Sequence, residues 1–403
     1  MINLEIPKKF KPLASQANQV ATEVFRPISR KYDEAEHAYP KELDMLASLI
    51  DGMNEGSDIG GAGAAGVRRE SSNEDGENRN GSNLSTVLGI IELCWGDVGL
   101  LLSMPRQGLG NSAIASVATE EQLERYGGKW AAMAITEPEA GSDSASIRTT
   151  AELDGDEYVL NGEKIFVTSG DRADLIVVWA TLDRSVGRAA IKSFIVERDN
   201  PGLKLDRLEH KLGIRASDTA NFTLQDCRVP KEALLGDPEV NVEKGFAGAM
   251  QTFDNTRPLV AAMAVGLTRA ALEQTREKLA EAGVEVDYST PALCQHAAAA
   301  RFLEMEADYE AAWLLTLHAA WMADNSKPNS LQASMAKAKA GRTCVDVTLG
   351  CVELCGSVGL GENELLEKWA RDAKILDIFE GTQQIQLLIV ARQLLGKNSS
   401  ELR

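Results

Sequence analysis

The residue best placed to do chemistry in this sequence is Glu380, in the run Arg371–Arg392, RDAKILDIFEGTQQIQLLIVAR. It follows Ile378 and Phe379 and precedes Gly381, at a break between two apolar, helix-patterned segments. Upstream, Leu365, Leu366, Trp369 and Ala373 recur at helical spacing. Downstream, Ile385, Leu388 and Ile389 form the i, i+3, i+4 stripe expected of a buried face, with Thr382 placed as an N-cap. A carboxylate at such a greasy joint is poorly solvated, so its pKa rises and it becomes the stronger base that carbon-acid chemistry needs. On an exposed loop the same residue is an ordinary surface acid. This segment alone leaves both readings open.

Two other stretches carry groups suited to a flat ligand. In Met133–Asp143, MAITEPEAGSD, Thr136 and Ser142 offer hydroxyls and Gly141 lets a ligand approach the backbone closely. In Lys164–Gly170, KIFVTSG, Phe166 and Thr168 stand two apart on a strand and so share a face. A ring and a hydroxyl there could meet one flat heterocycle. Taken singly, each stretch also reads as a polar turn entering a sheet or as half-buried strand packing.

The elements around these residues follow from pattern. Between about 10 and 50, Val20, Val24, Ile28, Leu43, Leu46 and Leu49 recur helically, and Pro27 and Pro40 are the expected breakers. Gly56–Leu84 is polar and rich in Gly, Ser and Asn, a long flexible loop; its glycines lack the strand before and the Gly-Lys-Ser/Thr after that a phosphate loop needs. Leu88–Leu102 is apolar with Glu92 and Asp97 as isolated charges, a core helix or the wall of an apolar ligand site. From Ala131 to about Val229 short alternating runs appear, separated by Asp154-Gly155 and Asn161-Gly162, as in antiparallel hairpins. Helical pattern returns from Gly245, broken at Gly283–Pro291, Asp324–Ser330 and Gly356–Gly361. The expected architecture is α+β: a helical domain at 1–130, a β domain at 131–240 that is antiparallel and barrel-like, and a helical bundle at 241–403.

Composition narrows the function classes. A net charge of -18 opposes nucleic acid and anionic membrane surfaces, although backbone N–H groups can still hold an anionic cofactor. No run of about 18 apolar residues suggests a membrane span, and the N-terminus lacks a signal or transit pattern. Cys344, Cys351 and Cys355 fall on one helix face as a small-residue stripe, and the four histidines are scattered, so no metal is expected. A reduced, cytoplasmic protein is the expectation.

AITEPEAGSD, LNGEKIFVTSG, GIRASDT, FDNTRPLVAAMAVGL and RDAKILDIFEGTQQIQ together resemble the acyl-CoA dehydrogenase family, its medium-chain members most, over nearly the whole chain. The resemblance implies a helical, β-barrel-like, helical fold carrying FAD, and α,β-dehydrogenation of an acyl-CoA in fatty acid β-oxidation and lipid metabolism. Residue by residue, it makes Met133, Ile135, Thr136, Gly141 and Ser142 the flavin and pyrophosphate loop. Phe166, Val167 and Thr168 become the strand against the isoalloxazine, with Thr168 facing N5. Thr382, Gln383, Gln384 and Ile385 become the segment meeting the adenosine. Ser142, Asp254, Thr256, Arg257 and Gly381 match positions near the acyl-CoA, and Glu380 matches the catalytic base. Some members place the base beside the arginine of FDNTRP, where this chain has Thr256, so Glu380 has no rival. Electrons are expected to pass to an electron-transfer flavoprotein. An acyl-CoA oxidase using O2 and a subunit without turnover are the alternatives.

Two departures bear on partners. Where the family has an Arg-x-x-Phe-Gly motif reaching a neighbour's FAD pyrophosphate, this chain has Val284, Asp287 and Tyr288, with Gln295 in place on the next helix. Where it has Gln-x-x-Gly-Gly-x-Gly, this chain has Glu353, Leu354, Cys355, Gly356, Ser357, Val358 and Gly359. A carboxylate repels a pyrophosphate. The half-site for the chain's own FAD looks intact and the half-site lent to a neighbour looks lost, so a tetramer with a related subunit is expected beside the homotetramer.

Overall fold

A computed structural model describes residues 5–54, 80–106, 109–240, 247–398 and 401. Most of the expected 56–84 loop lies outside the described residues, as do the side chains from 247 to 255.

The N-terminal helices are α1 (Lys11–Val20), α2 (Arg26–Glu34), α3 (Glu42–Asn54), α4 (Ser82–Gly96), α5 (Val98–Leu102), α6 (Leu109–Val117) and α7 (Glu120–Tyr126). Pro27 does not break the helical path. A π-helical turn, Ala21–Phe25, joins α1 to α2 with helical dihedrals at Val20 and Arg26. A wider turn gives room where a proline removes its own N–H and crowds the carbonyl four residues back. Pro40 does lie in the gap between α2 and α3. The last residues of the expected polar loop are already helical, because α4 starts at Ser82, where the Asp324 carboxylate accepts from the N–H groups of Gly81, Asn83 and Leu84. The apolar run at Leu88–Leu102 is cut by Asp97, whose side chain caps α5 through the Leu100 N–H at 2.8 Å.

The middle of the chain is one seven-stranded sheet. Its strands are β1 (Ala131–Ala134), β2 (Thr150–Asp154), β3 (Glu157–Thr168), β4 (Leu175–Thr181), β5 (Ile191–Glu197), β6 (Leu203–Leu208) and β7 (Thr219–Pro230). The order is β1-β4-β2-β3-β7-β6, with β5 also on β4. Gly155 turns the β2–β3 hairpin with φ 65°, as its Asp-Gly signal predicts. Asn161-Gly162 makes no turn. It lies inside β3 at a register shift, so two expected strands are one. The sheet is mixed rather than wholly antiparallel: β1 runs parallel to β4, and Thr150 of β2 pairs in parallel with Thr181. Strand β4 is buried along its whole length, as a central strand with both faces covered must be.

The C-terminal helices are α8 (Ala247–Glu281), α9 (Ala297–Asp324), α10 (Ser330–Leu360), α11 (Leu366–Leu376) and α12 (Gln383–Leu395). Helix α10 is long and apolar enough to cross a bilayer by length and hydropathy, contrary to the sequence expectation, yet here it is a core helix. Ala333, Ala336, Ala340 and Cys344 are among its buried residues. Cys94, Cys227, Cys344 and Cys351 are buried, Cys355 is partly buried and Cys294 is exposed. Burial pushes the Cys344 and Cys351 thiols up to about 12. Gly356 breaks α10 with φ 55° and ψ -128°. In α11, Leu366, Trp369 and Ala373 are buried as patterned. Helix α12 departs from the expected stripe. Gln386 and Ile389 turn inward while Leu388 is exposed.

A buried ion network joins the three regions. Lys368 of α11 donates to Asp97 Oδ2 at 2.7 Å and to Asp372 Oδ2 at 2.6 Å, and all three side chains are at most 1% exposed. Ser29 donates to Asp97, and the Ile214 N–H, from the segment between β6 and β7, donates to Asp372. Glu92, the other isolated acid of the Leu88–Leu102 run, pairs with Arg269 of α8 at 2.6 Å. The histidines are not all scattered: the His37 and His210 rings lie 5.0 Å apart, with Glu36 Oε2 2.8 Å from His210 Nδ1.

Candidate active site

Glu380 stands in the turn between α11 and α12, as the sequence break predicts. Its φ is 55° and that of Gly381 is 92°, two successive left-handed residues. A non-glycine residue held there is strained by about 1–3 kcal/mol and persists because its surroundings hold it. Position 381 must be glycine twice over: the backbone has positive φ, and a Cβ would collide with the Gln386 side-chain amide.

The Glu380 carboxylate is half-buried, and Thr256 Oγ1 donates to its Oε2 at 2.8 Å. Burial raises its pKa above the usual glutamate value, opposed by the Thr256 hydrogen bond and by the charges of Arg257 and Lys337. Thr256 and Arg257, both 3% exposed, sit on α8. Glu380, Gly381, Thr256 and Arg257 are thus brought together, while the side chain of Asp254 lies outside the described residues. The Thr382 hydroxyl accepts from the Ile385 N–H at 3.4 Å, which starts α12 with Gln383, Gln384 and Ile385 in its first turn.

Two residues here escaped the sequence reading. Lys337 of α10, fully buried, donates to the Gly381 carbonyl at 2.7 Å, and burial lowers its pKa to about 8. Gln386, fully buried, donates to the carbonyls of Glu380 at 3.0 Å and Gly381 at 3.3 Å. A polar residue on the inner face of an otherwise apolar helix was the available signal.

The flavin-type residues form a second set on the sheet. Met133 and Ile135 are half-buried and pack against Ala140, Ile147, Trp179 and Ile191, while Gly141 and Ser142 are exposed. The loop is held by Glu137, whose carboxylate accepts from the N–H groups of Arg148 and Thr149 and from Lys164 Nζ at 2.7 Å. Lys164 also donates to the Ile135 carbonyl at 3.2 Å. Neither Glu137 nor Lys164 was among the expected site residues. The Thr136 carbonyl accepts from the Ile165 N–H at 2.9 Å, which fastens the loop to β3.

At that point β3 bulges: Lys164 pairs with Phe222 and Val167 with Ala220, leaving Ile165 and Phe166 opposite Asn221. Phe166 takes φ 58°, and its N–H donates to Asn221 Oδ1 at 3.2 Å. Val167 is buried, Phe166 is exposed and Thr168 is half-buried. Phe166 leaves 59% of its surface exposed. A strained, exposed aromatic on a strand fastened to the Thr136 loop, with open space beside Gly141, suits a flat, polar-edged heterocycle such as an isoalloxazine.

Comparison with known proteins extends over the whole arrangement. Residues 132–227 match the family model for the acyl-CoA dehydrogenase middle domain, and residues 243–395 match that for its C-terminal domain. The chain is 33% identical to the mitochondrial short-chain specific acyl-CoA dehydrogenase of Bos taurus, over 98% of this chain and 92% of that one. It is equally identical to the short-chain specific enzyme of Clostridium acetobutylicum, over 92% and 93%. In structure it resembles butyryl-CoA dehydrogenase of Megasphaera elsdenii, with a TM-score of 0.81 at 32% identity over 98% and 100% of the two chains. A chain from a study of the electron transferring flavoprotein of Acidaminococcus fermentans gives 0.80 at 31% identity, over 98% and 100%. With both family domains matched and full-length relatives a third identical, the chain belongs to the acyl-CoA dehydrogenase family of FAD-dependent oxidoreductases.

Proposed function

We propose that this chain converts an acyl-CoA thioester to the trans-2-enoyl-CoA, with Glu380 as the base. The observation that carries the reading is a half-buried carboxylate of raised pKa, hydrogen-bonded by Thr256 and held in a strained turn. The α C–H of a thioester is weakly acidic, so the base has to be desolvated and the enolate oxygen stabilised. Glu380 receives the α proton on its carboxylate, and a backbone N–H donor of the turn faces the thioester oxygen. One such donor contributes on the order of 3 kcal/mol. Bound FAD would supply the acceptor for the hydride from the β carbon. Thr136, Ser142, Phe166 and Thr168 would hold its ring system, Thr382 to Ile385 would meet its adenosine end, and Arg257 and Ser142 would lie along the acyl-CoA.

The names of the relatives make a short acyl group the first substrate to try. Anaerobic mixing with a panel from butyryl-CoA upward, followed by flavin bleaching and by an artificial acceptor, tests the reading. Flavin left oxidised by every acyl-CoA would refute it. Peroxide formed one-for-one with product in air would identify an oxidase; little peroxide, with electrons passed to an electron-transfer flavoprotein, identifies a dehydrogenase.

We infer further that the chain works beside a related subunit. Val284 packs against the core, and Asp287 is occupied by its own turn, where Ser289 and Thr290 hydrogen-bond to it and lower its pKa to about 2. Gln295 is bound back onto the same turn. Glu353 is exposed just before the Gly356 break. A lent half-site of this composition brings acids, not an arginine, toward a pyrophosphate. FAD bound per chain, measured for the chain expressed alone, separates this from a homotetramer.

A further inference from the structure

The turn that carries Glu380 is strained at that residue, and strain of that kind lasts only where something outside the turn opposes its relaxation. The opposing contacts come from two directions. From α12, the buried Gln386 amide reaches back to both carbonyls of the turn. From α10, 44 residues earlier in sequence, Lys337 reaches the Gly381 carbonyl with a fully buried ammonium group. A carbonyl is a modest partner for so costly a burial; a lysine is kept inside a protein where its charge is used.

Resting on the reading of Glu380 as the base, we propose that Lys337 and Gln386 are positioning residues for it: Gln386 holds the left-handed turn that presents the carboxylate and its backbone N–H, and Lys337 adds the positive charge that keeps the carboxylate ionised.

Among the described residues, the charges around this point are few. Arg257 of α8 faces Glu380 together with Lys337. Asp377, just after α11, faces Lys337 and is itself paired with Arg342 of α10 at 3.3 Å and Lys374 of α11 at 3.2 Å. Asp377 is thereby partly neutralised, which leaves Lys337 and Arg257 as the cations that act on the base. Burial drives Glu380 toward its neutral acid, and the two cations hold it back.

The two roles separate by mutation. Lys337→Met removes a charge and a donor, and Lys337→Arg keeps both. For Lys337→Met the rising limb of flavin reduction against pH moves up by about one unit, and Lys337→Arg returns it. The titration of the Glu380 carboxyl, followed by carbon NMR as the signal missing in Glu380→Gln, moves by the same amount. Gln386→Met leaves the limb in place and lowers the plateau rate about tenfold, with acyl-CoA affinity unchanged, the scale of one lost hydrogen bond to a reacting element. Unshifted titration and pH limb in folded Lys337→Met overturn the role of the charge; an unchanged plateau in Gln386→Met overturns the role of the clamp. If Lys337→Met does not fold, the same titration and pH limb in Lys337→Gln, which keeps a donor without the charge, decide the role of the charge. Glu380→Gln keeps the two readings apart: if that variant still reduces its flavin, the base assignment has failed rather than the positioning.

Discussion

Lys337 and Lys368 are buried to the same degree, and the molecule treats them in opposite ways. Lys368 lies between Asp97 and Asp372; burial alone would lower its pKa, but the two carboxylates more than reverse this and raise it. Lys337 touches a carbonyl instead of an acid, burial prevails, and its pKa falls to about 8. The network around Lys368 joins the helical N-terminus, the sheet and α11; its one ammonium is shared by two carboxylates, and burial still raises the pKa of Asp372. The joint around Glu380 is left short of compensation, with an acid raised and a lysine lowered on either side of one turn. In the first region acids on both sides hold the lysine charged. In the second, burial raises the acid and lowers the lysine, which suits the base proposed above.

The comparison can be broken from either side. The largest expected effect is at the joint: Glu380→Gln should retain FAD and bind acyl-CoA yet lose at least about 10³-fold in flavin reduction. Retention of a tenth of the rate in stopped-flow would remove Glu380 from the base position. The same variant should be slightly more stable near neutral pH. An acid whose folded pKa is raised binds more protons folded than unfolded, so its stability contribution falls as pH rises above 4.5. At the Lys368 network the effect falls on stability: Lys368→Met leaves two buried carboxylates unmatched and should cost about 3–5 kcal/mol in denaturant unfolding, while the pH limb of flavin reduction stays put. A shift of that limb would show that the two regions are not separate.

Next in size is cofactor affinity. The chain purified alone should hold FAD about ten- to hundredfold more weakly than with a subunit supplying an arginine, a contact of roughly 1.5–3 kcal/mol. One tightly held FAD per chain in an active homotetramer would refute the heteromer. Smallest is Thr168→Val, which should slow flavin reduction about fivefold, one hydrogen bond's worth, without weakening acyl-CoA binding. An unchanged rate would return Thr168 to strand packing.

The joint was legible because its components are local: Ile378, Phe379, Glu380 and Gly381 are consecutive, and Thr382 caps the helix that follows. Its support was not legible, because Lys337 lies in a run of alanines that reads as an ordinary helix and reaches the turn only through the packing of α10. Period-2 alternation gave no warning of the bulge that holds Phe166 at positive φ two residues before Thr168. Asn161-Gly162 has turn chemistry and no turn, since the ladder to β7 continues across it with one irregularity. On α12, apolar spacing chose Leu388 for the core, where Gln386 goes instead. A helix whose inner face meets carbonyls rather than side chains cannot be read from apolar residues.

The cysteines described above have a practical consequence. Four thiols are enclosed, and the Cys355 thiol donates to Thr275 Oγ1 at 3.8 Å, which leaves Cys294 as the one fully open to a reagent. It adjoins Gln295 and follows the Asp287 turn by a few residues. A maleimide dye added to the folded protein should therefore enter first at Cys294, with no cysteine engineered. Shielding of that dye site when a second chain is mixed in would report contact at this segment, as a colour change rather than a mass.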